Sequence, residues 1–455
     1  MTLPHSQDRD SQSMIEGLSI ICFAHDWGGD PTSKTHIMRL LAKRNRVLWV
    51  NSIGMRRPTA SRADLRRILS KLHRGLTGCR EVEQNLYVTN PLVLPLPGVA
   101  AAEWLNAKLL AVSLRRLCRR YGLERPLLWT FLPTMNRLVG RLGERLVIYH
   151  CVDEYSAFSG VPRNAVLGME RDLIRRAHLV LTSSEQLRDE RSSINLHTHF
   201  VSHGVDVEHF SRAVDPATVV PDEIHGLPKP VIGFFGLLAD WVDLSLIRSL
   251  ACRRPHWSFV LVGKATTDLR LLQGLPNVRL LGQKPYSTLP GYCRGFDVGI
   301  IPFRMNDLTV RANPLKLREY LAAGLPVVST PLPEVSRYNG LVHLADGERS
   351  FLTGIEAALG ERSEAMVRRR VSRHAWLPRH ESPSPATKAS PSPAQLARSV
   401  ARVSLLQRFQ ETKYVGPHHP VLDLHPHPGV HLSGLSCPDL AVGQASSPDS
   451  MRWPA

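Results

Sequence analysis

The stretch that most constrains this chain runs from residue 297 to 335, DVGIIPFRMNDLTVRANPLKLREYLAAGLPVVSTPLPEV. Its apolar run at 298–303 reads as a buried strand, and 304–313 as a polar loop. Asn313 suits an N-cap and Pro314 the first helical position, since proline lacks an N–H that a helix start leaves unbonded anyway. Gly324 then stops the helix, and 327–329 begin the next strand. Leu315, Lys316 and Arg318 fall in the first turn, where a helix already carries partial positive charge. Two cations there are unfavourable unless an anion lies opposite, and a phosphate at that N-terminus resolves the conflict. Glu319, one turn in, is placed to accept hydrogen bonds from sugar hydroxyls or to pair with Lys316 or Arg318.

The same alternation fills the chain. Apolar runs at 18–24, 46–50, 127–131, 146–151 and 178–182 are separated by helical patterns at 32–43, 101–121 and 163–176. Strands apolar throughout and alternating with helices indicate a parallel sheet covered on both faces. A second series starts at residue 229, with strands at 229–236, 257–263, 277–282, 296–303 and 327–329. Helices are expected at 244–253, 286–294, 314–323 and 349–370. The expected architecture is α/β, with two doubly wound Rossmann-like domains facing across a cleft. Residues 1–16 form a flexible N-terminus, 17–210 the first domain, 211–228 a linker and 229–375 the second domain. From 376 to 455 the chain is rich in Pro, Ser and His, without helical or strand period, and is expected to be a disordered tail.

Composition narrows the partners. A formal charge of +17 favours nucleic acid, anionic lipid or phosphorylated substrates. No RNA-binding motif or aromatic platform accompanies the charge, so nucleic acid is not expected. The seven cysteines contain no C-x-x-C pair, which argues against zinc and a disulfide framework and for a reducing compartment. No signal-peptide core and no apolar run of spanning length is present. A cytoplasmic location, on the inner face of the plasma membrane if peripheral, is the expectation. Residues 61–76 place five apolar side chains on one helical face and five cations on the rest. They read either as an interfacial helix on an anionic membrane surface or as an ordinary packed helix.

Ligands of open α/β sheets bind beyond the carboxyl ends of the strands, so the residues following each strand are the candidates. After the first strand come His25, Asp26, Trp27, Gly28 and Gly29, which are not a G-x-G-x-x-G fingerprint. After 146–151 come Asp153 and Glu154, with Asp153 the candidate general base. In the second half, Gly233 and Gly236 suit a loop near a phosphate, Lys264 follows the next strand, and Lys316 combines with its helix N-terminus.

These pieces resemble the GT-B glycosyltransferases, close to family 4 and its teichuronic-acid or exopolysaccharide type. The matching segments are KPVIGFFG, WSFVLVG, LPNVRLLGQKPYSTLPGYCRGFDVGIIPF and NPLKLREYLAAGLPVVSTPLPEV, with HLVLTSSEQL, SHGVDVEHF and VIYHCVDEYSAF in the first half. The resemblance spans residues 18–371. It implies a nucleotide-diphosphate sugar as donor substrate, no cofactor, no metal, and a lipid-linked or polysaccharide acceptor. Donor contacts would fall to Gly236, Lys264, Arg311, Asn313, Pro314, Leu315, Lys316 and Glu319. Acceptor contacts would fall to His25, Asp26, Trp27, Gly28, Gly29 and Glu154, with Asp153 catalytic if the transfer inverts. Two departures stand out: Arg311 occupies the place of the family's first glutamate, and Leu237, Asp240 and Asp243 stand where an Arg and a Lys are usual. They motivate the alternative of a catalytically impaired GT-B-like protein acting as a binding partner. At the end of the second half, VRRRVSRHAW resembles the start of a helix crossing back to the first domain, and the Pro-rich sequence beyond it departs from that pattern.

Overall fold

A computed structural model describes residues 16–52, 78–91 and 100–361, with backbone alone at 100–103. The basic segment at 61–76, the tail and the end of the expected 349–370 helix lie outside the described residues.

Two sheets organise the molecule. The first has eight strands: β1 (Ser19–Phe23), β2 (Arg46–Val50), β3 (Cys79–Glu83), β4 (Leu86–Thr89), β5 (Leu127–Thr130), β6 (Leu146–Cys151), β7 (Leu179–Thr182) and β8 (Thr198–Phe200). Their spatial order is β3-β4-β2-β1-β5-β6-β7-β8, parallel except for the β3–β4 hairpin. The second has six parallel strands: β9 (Val231–Phe235), β10 (Ser258–Val262), β11 (Val278–Gly282), β12 (Val298–Ile301), β13 (Val327–Ser329) and β14 (His343–Leu344). Their order, β11-β10-β9-β12-β13-β14, reverses direction at β9, as β1 does in the first sheet. A loop leaving such a switch strand opens into the crevice where ligands bind.

The helices are α1 (Ser33–Ala42), α2 (Ala100–Tyr121), α3 (Arg163–Arg176), α4 (Glu185–Ser192), α5 (Val207–Ser211), α6 (Leu244–Arg253), α7 (Leu289–Gly295), α8 (Leu315–Ala322), α9 (Pro333–Ser336) and α10 (Glu348–Gly360). Burial explains the apolar runs. β5, β7, β9 and β12 are buried at every position because helices cover both sheet faces. One face of the first sheet packs Ile20, Trp49 and Trp129 against α1, and the other packs Ile21, Leu48 and Leu128 against α2. Phe210, Ala213 and Ile224 join the core of the second sheet, so the chain enters that core before the expected linker begins.

The helix of the opening stretch starts one residue later than expected. Pro314 holds the N-cap position, and the Asn313 side chain makes no capping bond. Its amide donates instead to the Ser183 carbonyl at 2.6 Å, and its oxygen accepts from Arg318 at 2.6 Å. Gly324 does end the helix, with φ +74°.

Candidate functional site

At the carboxyl edge of the second sheet, β9 runs into Gly236, which has φ +135°. A Cβ at Gly236 would lie 2.0 Å from Lys316 Cε and 2.3 Å from Nζ. The glycine therefore clears the space that the lysine occupies. The neighbouring strand end repeats the device: a Cβ at Gly263 would lie 1.7 Å from the Gly236 carbonyl oxygen. Gly233, by contrast, sits inside β9 beneath the Phe296 ring and lines no loop.

Lys316 projects from the first turn of α8, and its Nζ lies 5.6 Å from the Phe234 ring centroid. It forms no ion pair among the described residues. Burial pulls its pKa down, and Glu319, one turn on, opposes that pull. Burial pushes the Glu319 carboxyl up to about 7, and Lys316 partly offsets the rise. The two are half-buried neighbours one turn apart, and Tyr286 lies close to them. Burial and Glu319 push the Tyr286 phenol up, and the His36 ring of α1 stands 6.2 Å away.

The other expected donor residues divide. Lys264 is exposed, and its carbonyl accepts from the Leu238 amide. Arg311 is committed elsewhere: its Nε donates to Glu190 at 2.8 Å and its Nη1 to the Asp307 carbonyl at 2.7 Å. Arg318 is buried and donates to Ser202 and Asn313. The cations flanking Lys316 are thus spent on joining the halves. Asp240 takes the Ser159 hydroxyl, and Asp243 caps α6.

At the carboxyl edge of the first sheet, Asp153 follows β6 and Lys34 lies in the first turn of α1. Burial raises the Asp153 pKa and Lys34 lowers it; burial lowers that of Lys34 and Asp153 raises it. Lys34 Nζ is 5.8 Å from the Phe131 ring, which stacks on His150 at 4.8 Å. Ser33 shares a 2.9 Å hydrogen bond with His203. Burial holds His25 and His150 down at about 3, with Lys34 adding to it, so both rings are neutral. Both ring nitrogens of His25, Nδ1 of His150 and the Tyr155 hydroxyl have no hydrogen-bond partner among the described residues. Buried polar groups are ordinarily satisfied, and such a concentration of exceptions at one sheet edge marks a polar site. Lys34 and His203 were not singled out from the sequence. Their only signal is proximity to strand ends that the fold brings together.

The loop at 25–29 folds back on Trp49. Trp27 meets that ring at 4.9 Å and His25 meets it at 5.4 Å. The Gly29 amide closes a turn onto the Asp26 carbonyl, and Gly28 is exposed. Glu154 does not face this site. It is buried and pairs with Arg191 at 2.6 Å, in a cluster that also holds Glu170 and reaches Arg311 at 3.8 Å. Further contacts tie the halves across the crevice. Gln283 bonds Asp30 at 2.9 Å, Phe158 meets Trp241 at 5.8 Å, Ser184 Oγ donates to the Arg311 carbonyl at 2.8 Å, and the Glu185 amide donates to Glu334 at 2.8 Å.

This geometry agrees with the sequence comparisons. Residues 229–361 match the family described as "Glycosyl transferases group 1". A Bacillus subtilis (strain 168) protein, TuaH, assigned to teichuronic acid biosynthesis as a glycosyltransferase, is 30% identical over 275 residues, covering 55% of this chain and 68% of that protein. The chain belongs to the group 1 glycosyltransferases. The fold of this glycosyltransferase is GT-B, and solved structures share it at low identity. Anabaena Alr3699/HepE, crystallised with UDP and glucose, has a TM-score of 0.53 at 15% identity, covering 87% of this chain and 100% of that one. The catalytic domain of starch synthase IV from Arabidopsis thaliana, bound to ADP and acarbose, has a TM-score of 0.56 at 13% identity, covering 87% and 100%.

Proposed function

We propose that the enzyme transfers a sugar from a nucleotide-diphosphate sugar to a lipid-linked or polysaccharide acceptor in cell-surface glycan assembly, on the cytoplasmic side and without a metal. The observation that carries the reading is the Lys316 ammonium, half-buried beside Gly236 and in no ion pair among the described residues, at the switch strand and at a helix start. A diphosphate there gains a cation, the partial positive charge of α8 and backbone access through two glycines. The charge that develops on the leaving nucleoside diphosphate falls where these groups are already aimed. The nucleotides and sugars in the Anabaena and Arabidopsis structures, and the teichuronic acid assignment of the Bacillus relative, support the substrate classes.

The acceptor hydroxyl would be held at the first sheet's edge between Lys34 and Asp153. In an inverting transfer Asp153 takes the hydroxyl proton as the oxygen attacks the anomeric carbon. In a retaining transfer Asp153 serves to hold the acceptor. The anomeric configuration of the product decides between them.

A thermal-shift screen of UDP-, GDP- and dTDP-sugars, run on the parent and on Lys316→Ala, tests the donor site. One donor should raise the parent's melting temperature, and Lys316→Ala should abolish the shift. Equal shifts in both would remove Lys316 from the site. The second reading, a binding protein without turnover, is favoured by the loop after β9, which carries Asp240 and Asp243 and no cation, and by the pairing of Arg311. Nucleotide binding without release of nucleoside diphosphate would support it.

A further inference from the structure

We propose that the outer face of α2 is a docking surface for an anionic lipid bilayer. Ala107, Leu110, Ala111, Leu114 and Cys118 pack this helix onto the first sheet. At about 100° per residue, the side chains opposite that stripe should be polar. Instead Leu105, Leu109 and Val112 point outward, 38%, 51% and 46% exposed, and Trp104 is 48% exposed beside them. Four of the nine large apolar side chains exposed among the described residues thus fall within nine positions of one helix. Scattered exposed apolar residues need no explanation, but a contiguous patch does.

The charges around the patch select its occupant. Lys108, Arg115, Arg116, Arg119 and Arg120 are all exposed, and no acidic residue occurs from 104 to 120. Lys108 Nζ sits 3.6 Å from the Trp104 ring centroid, an aromatic–cation pair suited to a headgroup layer, where one end of each side chain is apolar and the other wet. The apolar side chains cluster in the first turns of the described stretch and the arginines in the last. A helix lying flat against a bilayer can therefore press the former into the acyl boundary while the latter meet lipid phosphates. A second copy of the chain fits poorly. The apolar patch is on the order of a few hundred Å², short of the roughly 800 Å² per partner of a stable dimer, and like arginines would face each other. No helix among the described residues is long and apolar enough to cross a membrane, so contact through this face would be peripheral.

The surface does not depend on turnover of a sugar donor, and its test needs none. The full chain is floated with phosphatidylcholine vesicles and with vesicles that also contain phosphatidylglycerol. The parent should float only with the anionic vesicles. The double variant Leu109→Glu/Val112→Glu should weaken binding about tenfold or more, and Arg115→Glu/Arg116→Glu should do likewise while flattening its salt dependence. Leu196→Glu and Val219→Glu, exposed apolar positions elsewhere, should bind as the parent does. Circular dichroism and the nucleotide thermal shift confirm that each variant is folded. The proposal is overturned by no anionic-vesicle binding, or by α2 variants that float like the parent. A dimer dissolved by Leu109→Glu/Val112→Glu would assign the face to a second copy instead. Equally strong oligonucleotide binding, indifferent to that variant, would make it a general polyanion patch.

Discussion

At the carboxyl edge of the second sheet Lys316 sits where Gly236 clears space for it, with Glu319 the charged neighbour that acts on it among the described residues. At the edge of the first sheet Lys34 shares a desolvated region with Asp153 and with the buried His25, His150 and His203. One edge is shaped by backbone freedom and a helix start, which suits a diphosphate whose oxygens are approached from the main chain. The other is shaped by side chains drawn from three strand ends and the start of α1, which suits a polyhydroxylated molecule gripped by several donors and acceptors. Under the proposed function, donor binding belongs to one edge and acceptor handling to the other, which would separate affinity from turnover.

The sharpest way to break that division is to change charge at each edge in turn. Asp153→Asn and Lys34→Ala should lower turnover about a hundredfold or more while leaving nucleotide-sugar affinity within about twofold. Steady-state kinetics alongside calorimetric donor titration checks this. If Asp153→Asn weakens donor binding as Lys316→Ala does, the two edges form one undivided site.

Next in size is the buried ion cluster behind the first sheet's edge. Arg191 is buried between Glu154 and Glu170. Arg191→Ala leaves two carboxylates without their cation and should cost about 3–5 kcal/mol in denaturant unfolding. A loss below about 1 kcal/mol would mean the cluster is open to water. Smaller again is Gly236→Ala. It forces a side chain into a φ of +135° and onto Lys316, at roughly 1–3 kcal/mol, and it should weaken nucleotide binding in parallel. Stability lost with donor affinity intact would show that Gly236 serves the fold alone.

The remaining expected effect is a pH slope, gradual where the others are single steps. The Glu319 carboxyl is raised from 4.5 to about 7, so the native state holds a proton that the unfolded chain has released between those values. Its stabilising share is complete below about pH 4.5 and is lost as pH rises through about 7, at no more than about 1.4 kcal/mol per pH unit for one proton. Glu319→Gln should flatten the melting temperature over that window. An unchanged profile would place the carboxyl in water.

How much of this was legible in the sequence follows from the same contrast. Most strands of both sheets could be read because doubly covered strands are apolar throughout. The Lys316–Glu319 pair at the second sheet's edge could be read because both stand in one turn of a helix whose boundaries Pro314 and Gly324 announce. The β3–β4 hairpin could not: β3, CREVE, has no fully buried position and no apolar run to mark it. Nor could the role of Arg311, whose partner Glu190 lies 121 residues away. The polar edge of the first sheet was half legible. Asp153 follows a clear strand, while Lys34 and His203 look like ordinary helix and turn residues until the sheet brings their segments together. Local pattern reports what neighbours in sequence do, and charge partners across a crevice are invisible to it.

The Glu185 amide has a further use. It opens α4, where an N–H has no acceptor inside its own helix. Ser184 caps the Leu187 amide of that turn, and the acceptor for Glu185 is Glu334, from the other half of the molecule. When the halves part, that amide loses Glu334 at the same moment, whatever happens to the helix. Its hydrogen–deuterium exchange therefore records the opening of the crevice as a single-residue signal, without a label and without a substrate.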